Sequence, residues 1–243
     1  MLPEKTLVRS QEKTAPGRKI SKERVTFLAC CNANGSHKLK MLVIGKAKNP
    51  RAFKNADIPV EYKSSANAWM TTKIFIEWFH QSFIPQVRRH LRSHNLPEKA
   101  LLIIDNASSH GTVKELTSED GRFTTLFLPP NCTALLQPMD QNAIRLTKLF
   151  YRKSLLAHIL SSNENSIVTL LKTRNLKDAV CLLCNAWEKV SSEVLQKCWN
   201  KIMSDNDEDI EYDDEDLIPI SELRRNLFSL DGDMEDVILE TGK

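Results

Sequence analysis

Nowhere in the 243-residue chain do eighteen apolar residues run together, which is about the length a membrane-crossing helix needs. The amino-terminal region also lacks an apolar block of signal-peptide length. A soluble, intracellular protein with no membrane partner is expected. A disulfide framework is equally unsupported. The six cysteines (Cys30, Cys31, Cys132, Cys181, Cys184, Cys198) include an adjacent pair in a strand-like run, where successive side chains point to opposite faces. Cys181-Leu-Leu-Cys184 has the spacing of half a zinc site, yet no second pair and no nearby histidine completes it. Both fall in an apolar helical pattern and read as buried thiols. Early aspartate is missing too: none precedes Asp57, and Glu4, Glu12 and Glu23 lie in a polar stretch.

Charge, by contrast, is plentiful, at 27% of residues, and it is segregated. Residues 205 to 243 hold fifteen acids against Arg224, Arg225 and Lys243, which leaves the rest of the chain with 31 bases and 16 acids. A body that basic suits a polyanionic partner, most simply nucleic acid, although a merely solvated basic surface has the same composition.

The chain divides by pattern. Residues 1–23 are polar and basic around Pro16-Gly17 and carry no apolar period, which reads as a leader. Arg24 to Cys31 and Lys38 to Gly45 read as strands joined by an Asn/Gly turn, an antiparallel hairpin. A basic connection follows, to about residue 70. From the cap at Thr71 or Thr72 to about His94, the apolar residues Ile74, Phe75, Trp78, Phe79, Phe83, Val87 and Leu91 keep helical spacing. Pro85 should bend or interrupt this helix, whose last turns crowd Arg88, Arg89 and Arg92. Ala100 to Ile104 is all apolar, as a strand buried on both faces would be, and it ends in Asp105. Phe123 to Leu128 is a further strand, halted by Pro129-Pro130. Helices are predicted over Gln141 to Leu160, Leu176 to Val190 and Ser191 to Ile202. The acidic block at 205 to 216 reads as disordered. The divisions are therefore a leader (1–23), an α/β core (24–162), a helical extension (163–203) and an acidic, largely disordered tail (204–243).

Two acids sit where chemistry gathers in such folds. Asp105 ends a strand, and Asp140 lies after 34 intervening residues at the start of a basic helix. A hard divalent cation needs oxygen ligands and few protein ones. With a third carboxylate, two ions clamp the attacking and leaving oxygens of a phosphodiester displacement. The pattern alone leaves the alternative open that Asp105 merely ends a strand and Asp140 caps a helix. His110 is open in the same way, between a scissile phosphate or the metal shell and a surface or capping role. Arg145, Lys148 and Arg152 share one helix stripe, which fits phosphate contact or a solvated face.

The words around these acids narrow the choice. Ile104-Asp-Asn-Ala-Ser-Ser-His110, Leu128-Pro-Pro-Asn-Cys-Thr133 and Leu136-Gln-Pro-Met-Asp-Gln141 resemble the signature of the pogo, Tigger and jerky DDE superfamily, which includes centromere protein B. Ala15-Pro-Gly-Arg-Lys-Ile-Ser-Lys-Glu-Arg-Val-Thr26, Asn32-Ala-Asn-Gly35, Ile44-Gly-Lys46 and Pro50-Arg-Ala-Phe-Lys54 are similar in content and order. The likeness runs from about residue 2 to 200. It implies an RNase H-like mixed sheet flanked by helices, Mg²⁺ or Mn²⁺ dependence, and nuclear work on DNA: strand cleavage by water and strand transfer by a DNA 3′-hydroxyl. Asp105 and Asp140 would be the second and third catalytic, metal-binding carboxylates.

Two departures qualify what the resemblance implies. In the family the first carboxylate belongs to an Asp-Glu-Thr-Gly-Leu word on the first strand, followed shortly by Leu-Pro. Leu2-Pro3-Glu4-Lys5-Thr6-Leu7 matches what comes after that word, so the first ligand and the first, central strand are expected to be absent. Strands 24 to 31 and 100 to 105 would lose their shared neighbour, at about 1 to 3 kcal/mol per unsatisfied buried group. They would close on each other, take a substitute strand, or belong to an incomplete gene product that folds poorly alone. Asn142 also stands where the family usually has glycine. The expectation is thus a transposase-derived, DNA-binding domain whose catalysis is lost, with an active metal-dependent endonuclease or transposase as the alternative. Without the family's helix-turn-helix module, DNA binding should be weakly specific and salt-sensitive. A homo-oligomer and a protein partner for the acidic tail are left open.

Overall fold

The computed structural model describes residues 24–130, 133–160 and 174–203. The leader, the acidic tail and Cys132 lie outside the described residues. Residues 24–152 and 176–203 fall in one compact unit. Of a second unit, the described residues are 153–160, the last turns of a long helix, and 174–175.

The hairpin forms as its turn residues require. Strand β1 (Thr26–Leu28) pairs antiparallel with β2 (Leu42–Gly45), with Phe27 opposite Val43. An isolated bridge from Cys31 to Lys38 closes the turn end, where Gly35 takes a φ of +69°. Strand β3 (Glu61–Ser64) was not foreseen. It pairs parallel to β2, Val43 opposite Tyr62. Its sequence, Glu-Tyr-Lys-Ser, has little apolar content because every residue is only half-buried, so the alternation that marks a strand is missing.

In β2 the alternation does its usual work. Leu42 and Ile44 enter one apolar cluster, and Met41 and Val43 enter another on the opposite face. Cys30 and Cys31 divide in the same manner between the two clusters. Each fully buried aliphatic or aromatic side chain contributes about 1.5 to 3 kcal/mol of transfer free energy.

The first cluster is closed by the helical layer over residues 72 to 93. Helix α1 (Thr72–Trp78) starts at Thr71, whose hydroxyl accepts from Ile74 N at 3.3 Å. A π-helical segment (Phe79–Phe83) joins it to α2 (Ile84–Ser93). The interruption falls immediately before Pro85, which has no N–H to continue the ladder. Phe75, Trp78, Phe79 and Phe83 are buried here.

Strand β4 (Ala100–Ile104) pairs parallel with β5 (Phe123–Phe127), and Leu102, Ile104 and Phe123 complete the first cluster. The expected single mixed sheet is in fact two, a three-stranded one ordered β1-β2-β3 and a two-stranded one. Among the described residues β1 and β4 are edge strands and do not pair with each other. The expectation that β4 is buried on both faces also needs correction. Leu101 is 52% exposed and only Leu102 and Ile104 are buried. A strand with a partner along one side only leaves part of its surface uncovered.

A short helix, α3 (Thr133–Leu136), and a 3-10 turn (Pro138–Asp140) precede α4 (Ala143–Leu160). Helices α5 (Leu176–Glu188) and α6 (Ser192–Met203) follow. Val180, Leu183 and Trp187 of α5 and Leu195 and Cys198 of α6 pack with Met41 and Val43 in the second cluster, so the predicted helical extension shares a core with the sheet. Lys38 joins them: its ammonium donates to the carbonyls of Trp187 (3.0 Å), Glu188 (3.0 Å) and Val190 (2.7 Å). That satisfies acceptors that a helix end leaves free and sets a cation against the negative end of its dipole.

Candidate metal and nucleic-acid site

Asp105 follows the last residue of β4, where the chain leaves the sheet. Its Oδ1 accepts from Ala107 N at 3.2 Å, an Asx-type turn that aims the carboxylate back over the strand end. Asn106 Nδ2 donates to Leu128 O, tying the end of β4 to the end of β5. Asn106 is a positioning residue that pattern reading passed over, since nothing in an Asp-Asn pair says which strand the amide will reach.

His110 closes on the same carboxylate. Its Nδ1 lies 3.0 Å from Asp105 Oδ1 and 3.2 Å from Asp105 O. Both oxygens accept, so Nδ1 carries the proton. The imidazole is 14% exposed and packs on the Phe75 ring at 4.3 Å between centroids. His110 therefore holds Asp105 in place, a position different from the surface or capping one. Gly111 follows at a φ of +80°, a conformation glycine adopts without strain.

Asp140 ends the 3-10 turn before α4. Its pKa is raised, first by partial desolvation, then by the negative charge of Asp105, with Lys148 acting in the opposite sense. The charge of Asp105, 34 intervening residues away in sequence, thus bears on Asp140 through space. Asn142, directly after, has a φ of +100°, the region in which glycine is at ease and other residues are strained. Its Oδ1 accepts from Arg145 Nε, while its buried Nδ2 has no partner.

Arg145, Lys148 and Arg152 all stand exposed on one stripe of α4, with Ala143, Leu146 and Thr147 buried on the other side. The arginines of α2 are differently employed. Arg92 grips Glu98 through two nitrogens at 2.6 and 3.0 Å, and Arg88 reaches Asp120 at 2.8 Å while lying over the Phe123 ring.

The donor set suits a hard cation: two carboxylates, one destabilised in its charged form by the other, with a lysine and an arginine on the adjoining helix. No cluster of three or more His, Cys, Asp or Glu placed for a metal ion occurs among the described residues. Cys30, Cys31, Cys181, Cys184 and Cys198 form no disulfide among the described residues, and burial pushes Cys30 and Cys31 up to about 12. No described helix is long and apolar enough to cross a membrane.

Fold and site together define an α/β domain bearing paired carboxylates beside a basic helix. The family described as DDE superfamily endonuclease matches residues 22–199. Over 217 residues, 83% of this chain and 40% of the relative, the sequence is 36% identical to Tigger transposable element-derived protein 7 of Homo sapiens. It is 40% identical over 193 residues to the Jerky protein of Mus musculus, covering 78% of this chain and 32% of that one. With Tigger transposable element-derived protein 4 of Mus musculus the identity is 33% over 205 residues, 83% of this chain and 36% of the relative. No solved structure matches. The chain belongs to the DDE endonuclease superfamily, in its pogo, Tigger and jerky-type branch. It spans two fifths or less of the length of these relatives.

Proposed function

We propose that this transposase-derived DDE domain is a nuclear DNA-associated module, and that its own residues do not complete a catalytic centre. The observation that carries the reading is the coupling of Asp105 and Asp140 beside the exposed Arg145, Lys148 and Arg152 stripe. A DNA backbone lying along α4 would set its phosphates against those cations, at the two carboxylates. Asp105 and Asp140 would hold Mg²⁺ or Mn²⁺. A divalent ion there supplies charge stabilisation at a phosphodiester oxygen.

His110 fixes the orientation of Asp105, and Lys148 partly offsets the rise in the Asp140 pKa. The RNase H-like arrangement with a missing central strand belongs to the same reading, supported by β1 and β4 standing as unjoined edges. The rival, an active metal-dependent endonuclease or transposase, is supported by the raised Asp140 pKa, a mark of carboxylates crowded for metal.

Nicking of supercoiled DNA with Mn²⁺ separates the two. The proposal expects no nicking above background by the wild type. Nicking that is lost in both Asp105→Ala and Asp140→Ala would establish the rival. In parallel, Arg145→Ala and Arg152→Ala should each weaken DNA binding across unrelated sequences and lower the salt slope by about 1. Unchanged slopes would remove α4 from the interface.

A further inference from the structure

Of the four tryptophans in the chain, Trp78 and Trp187 are buried and Trp199 is half-buried, whereas Trp69 stands 56% exposed in the loop between β3 and α1. Tryptophan is well buried on average, and here the backbone is what keeps the ring out. Ser65 Oγ donates to Trp69 O at 2.7 Å and accepts from Trp69 N at 2.8 Å, and Ala68 N donates to Ser65 O at 3.0 Å. Both main-chain groups of Trp69 are therefore taken by one side chain four residues back. Ala68, within the ring so formed, is fully buried at a φ of +56°, a left-handed conformation that strains any residue with a Cβ. Strain of this kind gathers at ligand clamps and binding sites. A strained, buried alanine beside a fixed, exposed tryptophan makes a loop that presents the ring outward.

The loop lies next to the candidate site. Thr71 caps α1 two residues after Trp69, and Thr72 Oγ1 donates to Ser108 O at 3.4 Å, in the turn that carries His110. Phe75 of the same helix is the ring on which His110 packs. Met70 borders the cavity between β1 and β4 that Asp105 and His110 also line. Lys73, exposed in the first turn of α1, sets a cation where the helix dipole disfavours one. It does not serve the helix and suits a phosphate outside it.

These surroundings select the ligand. A phosphodiester held at Asp105 and Asp140 brings its flanking bases toward the loop, and every base has a flat π-face on which an indole stacks. Within an intact duplex those faces are covered by neighbouring pairs. A rigid ring beside the strand reaches them only at an end, a gap or a flipped nucleotide. An apolar docking face would need more than one ring, and the exposed neighbours Ala66, Asn67, Thr71 and Lys73 are small or polar.

We propose that Trp69 is a base-stacking residue of the candidate site, and that the DNA engaged there carries unpaired bases next to the phosphate at Asp105 and Asp140. This rests on the DNA-associated reading above. Ser65 is the positioning residue for the ring.

The test uses the full chain and two labelled DNAs, a blunt duplex and the same duplex with an unpaired 3′ extension, followed by fluorescence anisotropy at one fixed salt concentration. Trp69→Ala should bind the extended duplex about tenfold or more weakly and the blunt one within about twofold of wild type. Trp69→Phe, which keeps a π-face, should recover most of the loss. Tryptophan emission should be quenched by the extended duplex in the wild type and not in Trp69→Phe, which a merely structural ring would not produce. That emission difference decides the matter alone should the alanine variant unfold. Equal losses on both duplexes, no loss on either, or quenching that survives in Trp69→Phe overturns the proposal. DNA binding that depends on Arg145 but not on Trp69 overturns it and leaves the DNA-associated reading standing, whereas failure of the wild type to bind either DNA overturns both. Dimerisation lost in Trp69→Ala with DNA binding unchanged also overturns it, assigning the ring to a second copy.

Discussion

His110 Nδ1 donates to Asp105 Oδ1 at 3.0 Å while the same ring lies against Phe75. A carboxylate at a strand end is thereby fixed from two directions, by the imidazole and by the Ala107 amide. The histidine contributes through Asp105, and the buried aromatic layer sets the orientation of both.

His110→Ala should weaken Mn²⁺ binding by about tenfold, the loss typical when an outer-shell partner of a ligand is removed. The wild-type fold should persist, since the ring supports a loop at the rim of the core. Calorimetric Mn²⁺ titration of the two proteins measures the ratio. Equal affinities would show that Asp105 does not depend on the histidine.

Asp140 gives a pH dependence of defined sign. Desolvation and Asp105 raise its pKa in the folded state, so the native protein holds this proton more tightly than the unfolded chain does. The charged group therefore costs stability above the unfolded value, about 3.9, and costs nothing below it. Asp140→Asn should raise the melting temperature at pH 7, and the gain should fade as pH falls toward 3.5. A gain that grew on acidification would contradict the coupling to Asp105. Mn²⁺ should raise the melting temperature of the wild type more than that of the variant.

Lys38→Met tests the clamp between hairpin and helices. Three carbonyls lose a charged donor, and the Trp187 ring loses a cation 5.3 Å from its centroid. A loss of about 2 kcal/mol is expected in urea denaturation, at the scale of hydrogen bonds to charged groups plus a helix-end charge. A loss below a few tenths would mean that water replaces the ammonium.

Asn142→Gly should stabilise the domain. It relieves a φ of +100° and removes a buried amide nitrogen that has no partner, at the cost of the bond from Arg145. The expected net gain is about 1 kcal/mol, since strained backbone of this kind costs of order 1 to 3. Chemical denaturation would read it directly, and a destabilised variant would show that the Arg145 contact outweighs the strain.

Much of the candidate site was legible because its signals are local. An apolar run that ends in an acid places Asp105 at a strand end, and Pro-Met-Asp ahead of a 3.6-residue period places Asp140 at a helix start. The charged stripe on α4 follows from the spacing of Arg145, Lys148 and Arg152 alone. What was not legible is reach. Nothing in the spacing of His110 says that its ring will turn inward onto Phe75 instead of outward to solvent. Strand β3 escaped notice because an all half-buried strand has no alternation to reveal it.

The sequence by itself determined the hairpin, the division of Cys30 and Cys31 between opposite faces, a helix capped at Thr71 or Thr72 and bent or interrupted near Pro85, and the two acids at element ends. These depend on torsional preference and on periods of two or 3.6 residues, which act over a few neighbours. Only the tertiary structure decided that Asp140 feels Asp105 and that Lys38 closes the end of α5. It also decided that β1 and β4 remain edges on a shared cavity. Those outcomes depend on which surfaces meet across 34 to 151 intervening positions. Packing, not local pattern, selects among the partners the chain could bring together at such separations.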